Sequence, residues 1–172
     1  MMCGITDAIN SLYAVKKMVF DQETAATTLP ELLQALWNDW GENMIEPFQN
    51  SFAGKGRAED NALRYKELRK VALALPKFGE GESNEVKKCA DEFGGRCVKI
   101  IRDGIDKPLP SVKKSYDALK EKYKIEYREF AFTLTPGVGT FEDNLGLGLG
   151  MGASPDGRLS GDPVADDFSA AP

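Results

Sequence analysis

The chain has 172 residues, 42% hydrophobic and 28% charged, with a formal net charge of −5, which suits one domain with a real core. It has no run of about 18 apolar residues, so no membrane span is expected, and no basic patch of the kind that tracks phosphates, so nucleic acid is excluded as a partner. Histidine is absent and the 3 cysteines are Cys3, Cys89 and Cys97; that removes the common zinc sets, the Ser-His-Asp triad and the Cys-His dyad, and leaves carboxylates, lysine, arginine, hydroxyls or a radical to carry any chemistry.

Five helices are expected in the first 125 residues. Ile5, Ala8, Ile9, Leu12, Val15 and Val19 recur at helical spacing, with Asp7 early and Lys16 and Lys17 late, where the helix dipole favours them. A second helix is expected from about Pro30 to Trp40, with Leu32, Leu33, Leu36, Trp37 and Trp40 on its apolar side and Gly41 as its stop. A third runs from about Arg57 to Leu75 and ends before Pro76. A fourth runs from Ser83 to Gly104 with Val86, Cys89, Ala90, Phe93, Cys97 and Ile100 inside it, although Gly94 and Gly95 weaken it by about 1 kcal/mol each. Lys107 to Pro110 is read as a connector, and Ser111 to Lys124 as the fifth helix.

The period then changes. Ile125 to Leu134 is rich in aromatic and β-branched residues and reads as a strand. One strand needs partners from elsewhere, which suggests an incomplete sheet. The glycines then crowd: 8 of the 17 lie between Gly137 and Gly161. Gly146 to Gly152 alternates glycine with large apolar groups. It is expected to lie against other backbone at close range, with Leu145, Leu147, Leu149 and Met151 buried. The same end of the chain holds the whole acidic excess, with Arg158 its only base. Pro163 to Pro172 reads as a chain cut in mid-course.

Several motifs are set aside. Gly146 to Gly152 does not fit Gly-x-Gly-x-x-Gly, and Gly54-Lys55-Gly56-Arg57 lacks the rest of a phosphate loop. Glu80, Glu82 and Glu85 read as a solvated helix start. The cysteines read as small buried hydrophobes. Pro155-Asp156-Gly157-Arg158 is a strong turn signal, since proline presets φ and glycine accepts φ > 0.

Three stretches together resemble the glycyl radical enzymes of the pyruvate formate-lyase type. Asp7 to Phe20 is similar to the family's Asp-Ser-Leu-x-Ala-Ile-Lys-Lys-Leu-Val segment, with Asn10 in place of the usual aspartate. Leu75-Pro76-Lys77-Phe78-Gly79 is similar to its Pro-Lys-Tyr/Phe-Gly-Asn-Asp turn, followed here by Glu80-Gly81-Glu82. Gly152-Ala153-Ser154-Pro155-Asp156-Gly157-Arg158, with Gly161-Asp162-Pro163-Val164-Ala165, resembles its Ala-Thr-Pro-Asp-Gly-Arg loop and the Gly-x-Pro-Leu-Ala after it. The last is the most specific of the three. The Pro136 to Phe141 and Phe168 to Pro172 stretches look more like the aryl-acid decarboxylase and benzylsuccinate synthase side of the family.

The resemblance implies an α/β fold: a partial segment of a ten-stranded α/β barrel, mostly helical here, with one clear strand. It implies one partial pyruvate formate-lyase-like domain over residues 1–172, helical to about 124, with the strand and Gly-rich loop from about 125. It implies a radical lyase or decarboxylase acting on a C–C or C–heteroatom bond of a small organic acid in anaerobic metabolism; the cytoplasm is the default location, since the N-terminus shows no signal-peptide pattern. No cysteine here matches the family's thiyl-forming residue, and no Arg-Val-x-Gly-Tyr loop occurs. The chain is therefore expected to hold no catalytic, metal-binding or cofactor-binding residue of its own. The protein-derived glycyl radical would belong to the full-length enzyme. The implied partners are the rest of the parent enzyme, a radical S-adenosylmethionine activating enzyme and a second copy in a homodimer. Asp156, Gly157 and Arg158 are expected near the active site in a structural role, with a plain turn as the simpler alternative. Thr133, Thr135, Pro136 and Val138 are pocket candidates, with ordinary strand-end packing as theirs. For the whole chain, the alternative is a non-catalytic interaction module or degenerate remnant of that fold.

Overall fold

The computed structural model describes residues 4–44, 58–80, 83–124 and 144–165. The chain divides into two compact units, Met1–Ala90 with Gly139–Pro172, and Asp91–Val138.

In the first unit, helix α1 (Ile5–Val15) continues through a π-helical turn, Lys16–Phe20. Helix α2 (Leu29–Trp37) starts on Thr28, whose hydroxyl accepts from the Glu31 amide at 3.4 Å, with Pro30 in its first turn, where a missing N–H costs nothing. A short 3-10 turn, Asp39–Gly41, and helix α3 (Ala58–Ala74) follow. Ala14, Met18, Leu32, Ala35, Trp40, Tyr65, Leu68 and Ala72 form the core, with Ala153 and Leu159 packed on its edge. Outside that core, Arg64 ties α3 to α2. Its Nε donates to Glu31 at 2.9 Å and its Nη2 to the Ala26 carbonyl at 2.8 Å, and Glu31 is held below the usual carboxylate range by this guanidinium.

The turn after α2 departs from the expected helix. Asp39 and Trp40 take left-handed φ of 51° and 55°, a conformation that costs a non-glycine residue on the order of 1–3 kcal/mol. The return is complete burial of the Trp40 ring. Gly41, at φ 85°, completes the turn, and a Cβ there would collide with the Ala62 carbonyl. The helix therefore stops at Trp37 and not Trp40. Leu33 and Trp37 face solvent, being 53% and 48% exposed.

Helix α4 (Asn84–Asp106) begins in the first unit and ends in the second. Helix α5 (Leu109–Tyr123) starts two residues earlier than the sequence suggests, because Pro110 is tolerated in a first turn. Cys89 and Cys97 are half-buried, not buried; Cys3 lies outside the described residues. Glu85 is not merely solvated: it accepts from Tyr13 at 2.8 Å and pairs with Lys17 at 3.0 Å, fastening the start of α4 to α1.

The α/β expectation with one clear strand is corrected. Every regular element among the described residues is a helix. Each of these helices satisfies its backbone internally and needs no ladder. The expected strand, Ile125–Leu134, lies outside the described residues. The Gly-rich run is corrected too. Its start folds as a short helix, α6 (Asn144–Leu149), and Leu145, Leu149 and Met151 are 63%, 76% and 44% exposed. The close backbone approach is real at Gly148, where a Cβ would overlap Asp162 and Pro163.

Candidate functional site

The three stretches that carry the family resemblance are far apart in sequence and meet in the first unit. Asp7 of α1 accepts the Ala165 amide at 2.8 Å. Asn10, one turn on, accepts the Phe78 amide at 2.8 Å. Lys77 donates to the Ala72 carbonyl, at the end of α3, at 3.1 Å and also to the Asp156 carbonyl. Each stretch thus binds at least one of the other two through a side chain on a backbone group.

The loop from Gly152 to Ala165 is the centre of this arrangement. The Gly157 amide donates to the Ser154 carbonyl at 3.0 Å, which closes the turn, and Gly157 takes φ 102° beneath the Leu73 side chain. The Asp156 carboxylate is buried and accepts the Ser154 hydroxyl. Arg158 folds back over its own loop. Its Nη1 donates to the carbonyls of Leu159 at 3.2 Å and Asp162 at 2.9 Å, and its Nη2 to that of Gly152.

Other elements grip the loop from outside. Arg69 of α3 donates to the Gly157 carbonyl at 2.8 Å. The Trp40 indole donates to the Ser154 carbonyl at 3.3 Å, and Asp39 accepts the Ser160 amide at 2.7 Å. The strained turn after α2 thus delivers two of the loop's bonds. The Val164 amide reaches the Asn144 carbonyl at 3.2 Å, tying in α6.

Beside the loop is a cavity of about 330 Å³ lined by Arg69, Lys77 and Arg158 and by Asp7, Glu80, Asp156 and Asp162 among others. Three cations against four acids leave it nearly neutral, so it attracts neither sign of ligand strongly. Burial pushes the Asp7 carboxyl above the usual aspartate range, against the opposing pull of the Ala165 amide. Burial likewise pushes the Lys77 ammonium below its usual range, while Asp156 partly restores it. Asp7 Oδ1 and Arg158 Nε are buried without a hydrogen-bond partner among the described residues. The arrangement can hold a loop in place; no described group in it pairs a nucleophile with a base.

Asp156, Gly157 and Arg158 therefore sit together, and the structure adds Asp7, Asn10, Trp40, Arg69 and Lys77 to them. Asp7, Asn10 and Lys77 were visible in the sequence as members of the resembling stretches, though not as contacts. Trp40 and Arg69 gave no signal there. Thr133, Thr135, Pro136 and Val138 lie outside the described residues.

Known proteins resemble this chain along most of its length. The model of the pyruvate formate lyase-like family matches residues 1–128. The glycyl radical subunit of 4-hydroxyphenylacetate decarboxylase from Clostridioides difficile, in strains CD196 and 630 alike, is 26% identical over 170 residues; the match covers 98% of this chain and 16% of that subunit. A solved structure concerned with 1,2-propanediol dehydration in Roseburia inulinivorans superposes with a TM-score of 0.53 at 26% identity, over 95% of this chain and 16% of that one. The chain thus spans about one sixth of the length of these relatives. It belongs to the pyruvate formate lyase-like family of glycyl radical enzymes.

Proposed function

We propose that this chain is a scaffold segment of a glycyl radical enzyme that breaks or makes a C–C or C–heteroatom bond on a small organic acid, in the manner of a decarboxylase or formate-lyase. The family match and the decarboxylase relative support the reaction class. The observation that carries the scaffold role is the occupancy of the loop's charged groups. Asp156 is taken up by Ser154, Arg158 by three carbonyls, and Lys77 by two. Groups so engaged position backbone; they are not free to meet a substrate.

In this reading the radical glycine and the thiyl-forming cysteine belong to the parent enzyme, outside these 172 residues. So do its activation by a radical S-adenosylmethionine enzyme and its homodimeric assembly. Thr133, Thr135, Pro136 and Val138 stand in this reading as the substrate-pocket candidates that the resemblance implies, with ordinary strand-end packing as the alternative. The setting is the cytoplasm of an anaerobic cell; no helix among the described residues is long and apolar enough to cross a membrane.

The test is electron paramagnetic resonance after anaerobic incubation with a family activating enzyme and S-adenosylmethionine. The chain alone is expected to give no glycyl doublet. A chimera carrying this segment in the matching place of the decarboxylase subunit is expected to give one. A doublet from the chain alone would overturn the reading, as would a folded chimera that cannot be activated.

A further inference from the structure

Helices α1 and α2 of the first unit carry their polarity the wrong way round for helices with one wet face. The inner side of α1 buries Thr6, Asp7 and Asn10 beside Ile9, Tyr13 and Ala14. The inner side of α2 buries Gln34 beside Leu32 and Ala35, and Asn38 after it is buried too. Polar groups are satisfied there: Asp7 accepts the Ala165 amide, Asn10 the Phe78 amide and Gln34 the Tyr65 hydroxyl, at 3.3 Å. Apolar groups stand outside. In the regular stripe Ile5, Ala8, Ile9, Leu12, Val15 and Val19, Ile9 is the one fully buried member. Val15 and Val19 reach the edge of the core, while Leu12 is 48% and Phe20 66% exposed. On α2, Leu29 and Leu33, one turn apart, are 40% and 53% exposed.

A surface helix turns its apolar stripe to the core and its polar groups to water. A helix that satisfies polar groups on its inner side and keeps large apolar ones on its outer side suits a place covered on both sides, in the middle layer of a larger protein. The decarboxylase relative says what lies on the second side. It aligns with 98% of this chain over 16% of its own length, so it carries about five times as much further polypeptide. Polypeptide joined to this segment by peptide bonds meets its outer faces at an effective concentration that a free partner does not match.

We propose that the outer faces of α1 and α2, marked by Leu12 and Phe20 and by Leu29 and Leu33, are the surfaces on which the rest of the parent enzyme packs, through apolar side chains of its own. The inference rests on the scaffold reading above and names the faces by which the scaffold is held. Helices α1 and α2 then lie between two apolar contacts: their own core of Ala14, Met18, Leu32 and Trp40 on one side, and the parent polypeptide on the other.

The test sets the intact chain beside the chimera that carries it in the decarboxylase subunit. Leu12→Gln and Leu33→Gln keep a straight, helix-favouring side chain and add an amide. The readout is native-state trypsin cleavage within α1 and α2, followed by mass spectrometry, which tracks the population of the open form. In the chimera each variant is expected to speed cleavage on the order of tenfold, because the amide is buried without a partner. Leu12→Met and Leu33→Met are expected to keep the wild-type rate. In the isolated chain the Gln variants are expected to stay within about twofold of wild type, as exposed substitutions do. A chimera indifferent to both Gln variants would overturn the proposal, as would a wild-type chimera that does not fold. An equal rise in the isolated chain would mean that its own fold or a second copy already covers these side chains, and overturns it too. A folded chimera that gives no glycyl doublet yet keeps its sensitivity to the Gln variants would sink the catalytic reading and leave these faces assigned.

Discussion

Asp7 holds the Ala165 amide with one oxygen and buries the other without a partner. Its burial raises the carboxyl pKa above the ordinary aspartate value of 3.8. An acid whose folded pKa exceeds its unfolded value favours the fold most below both, and that contribution falls as pH rises through the window above 3.8. Asp7→Asn keeps the acceptor and removes the charge. Its stability relative to wild type is therefore expected to improve as pH rises from acid to neutral, in urea unfolding at each pH. A difference independent of pH would mean that Asp7 is not desolvated as the structure shows. Asp7→Ala instead orphans the Ala165 amide and is expected to cost about 1–3 kcal/mol. Arg158 poses a related test. Its fork serves three carbonyls at once, which the single ammonium of Arg158→Lys cannot do. That variant is expected to lose about 1–3 kcal/mol in thermal or urea unfolding, and an unchanged midpoint would show the fork to be idle.

At the scale of elements, α6 is seated by the absence of a side chain. A Cβ on Gly148 would overlap the backbone of Asp162 and Pro163, whereas one on Gly150 would meet only the Leu147 carbonyl, at an ordinary 3.7 Å. Gly148→Ala is expected to destabilise by about 1–3 kcal/mol through overpacking, and Gly150→Ala to be close to neutral. Equal effects of the two would remove the close approach as the reason for the glycine. Helices α1 to α5 were legible in the sequence, because three- and four-residue periods and Pro30 at a helix start are local signals. The end of α2 was not legible: Trp40 leaves the helix for a left-handed turn whose reward, burial against α3 and the 154 loop, lies far along the chain. The Gly-rich run misled for the same reason. Alternation of glycine and leucine fits an extended segment, yet only the contact of Gly148 with residues 162–163 decides how it packs.

For the molecule as a whole, the sequence marked three stretches as belonging together and could not show that they touch. Their contacts are side chain to backbone: Asp7 to Ala165, Asn10 to Phe78, Lys77 to Asp156. Such contacts depend on φ and ψ at the receiving residue and leave no pattern in residue type. Even the replacement of the family's usual aspartate by Asn10 keeps an acceptor for the Phe78 amide. The sequence therefore indicated the family and the loop, and the structure shows how the stretches meet: Asp7 and Lys77 fix one loop to α1 and to the end of α3, and Asp39 and Trp40 fix it to the turn after α2. The measurement that bears most directly on this is amide hydrogen exchange, resolved by residue, on the intact chain. The Ala165, Phe78 and Gly157 amides are expected to exchange slowly and together, and Asp7→Ala is expected to release Ala165 first. Fast exchange at all three, with the helices of the first unit still protected, would mean that the loop is not fixed to those helices and that the three stretches do not form one site.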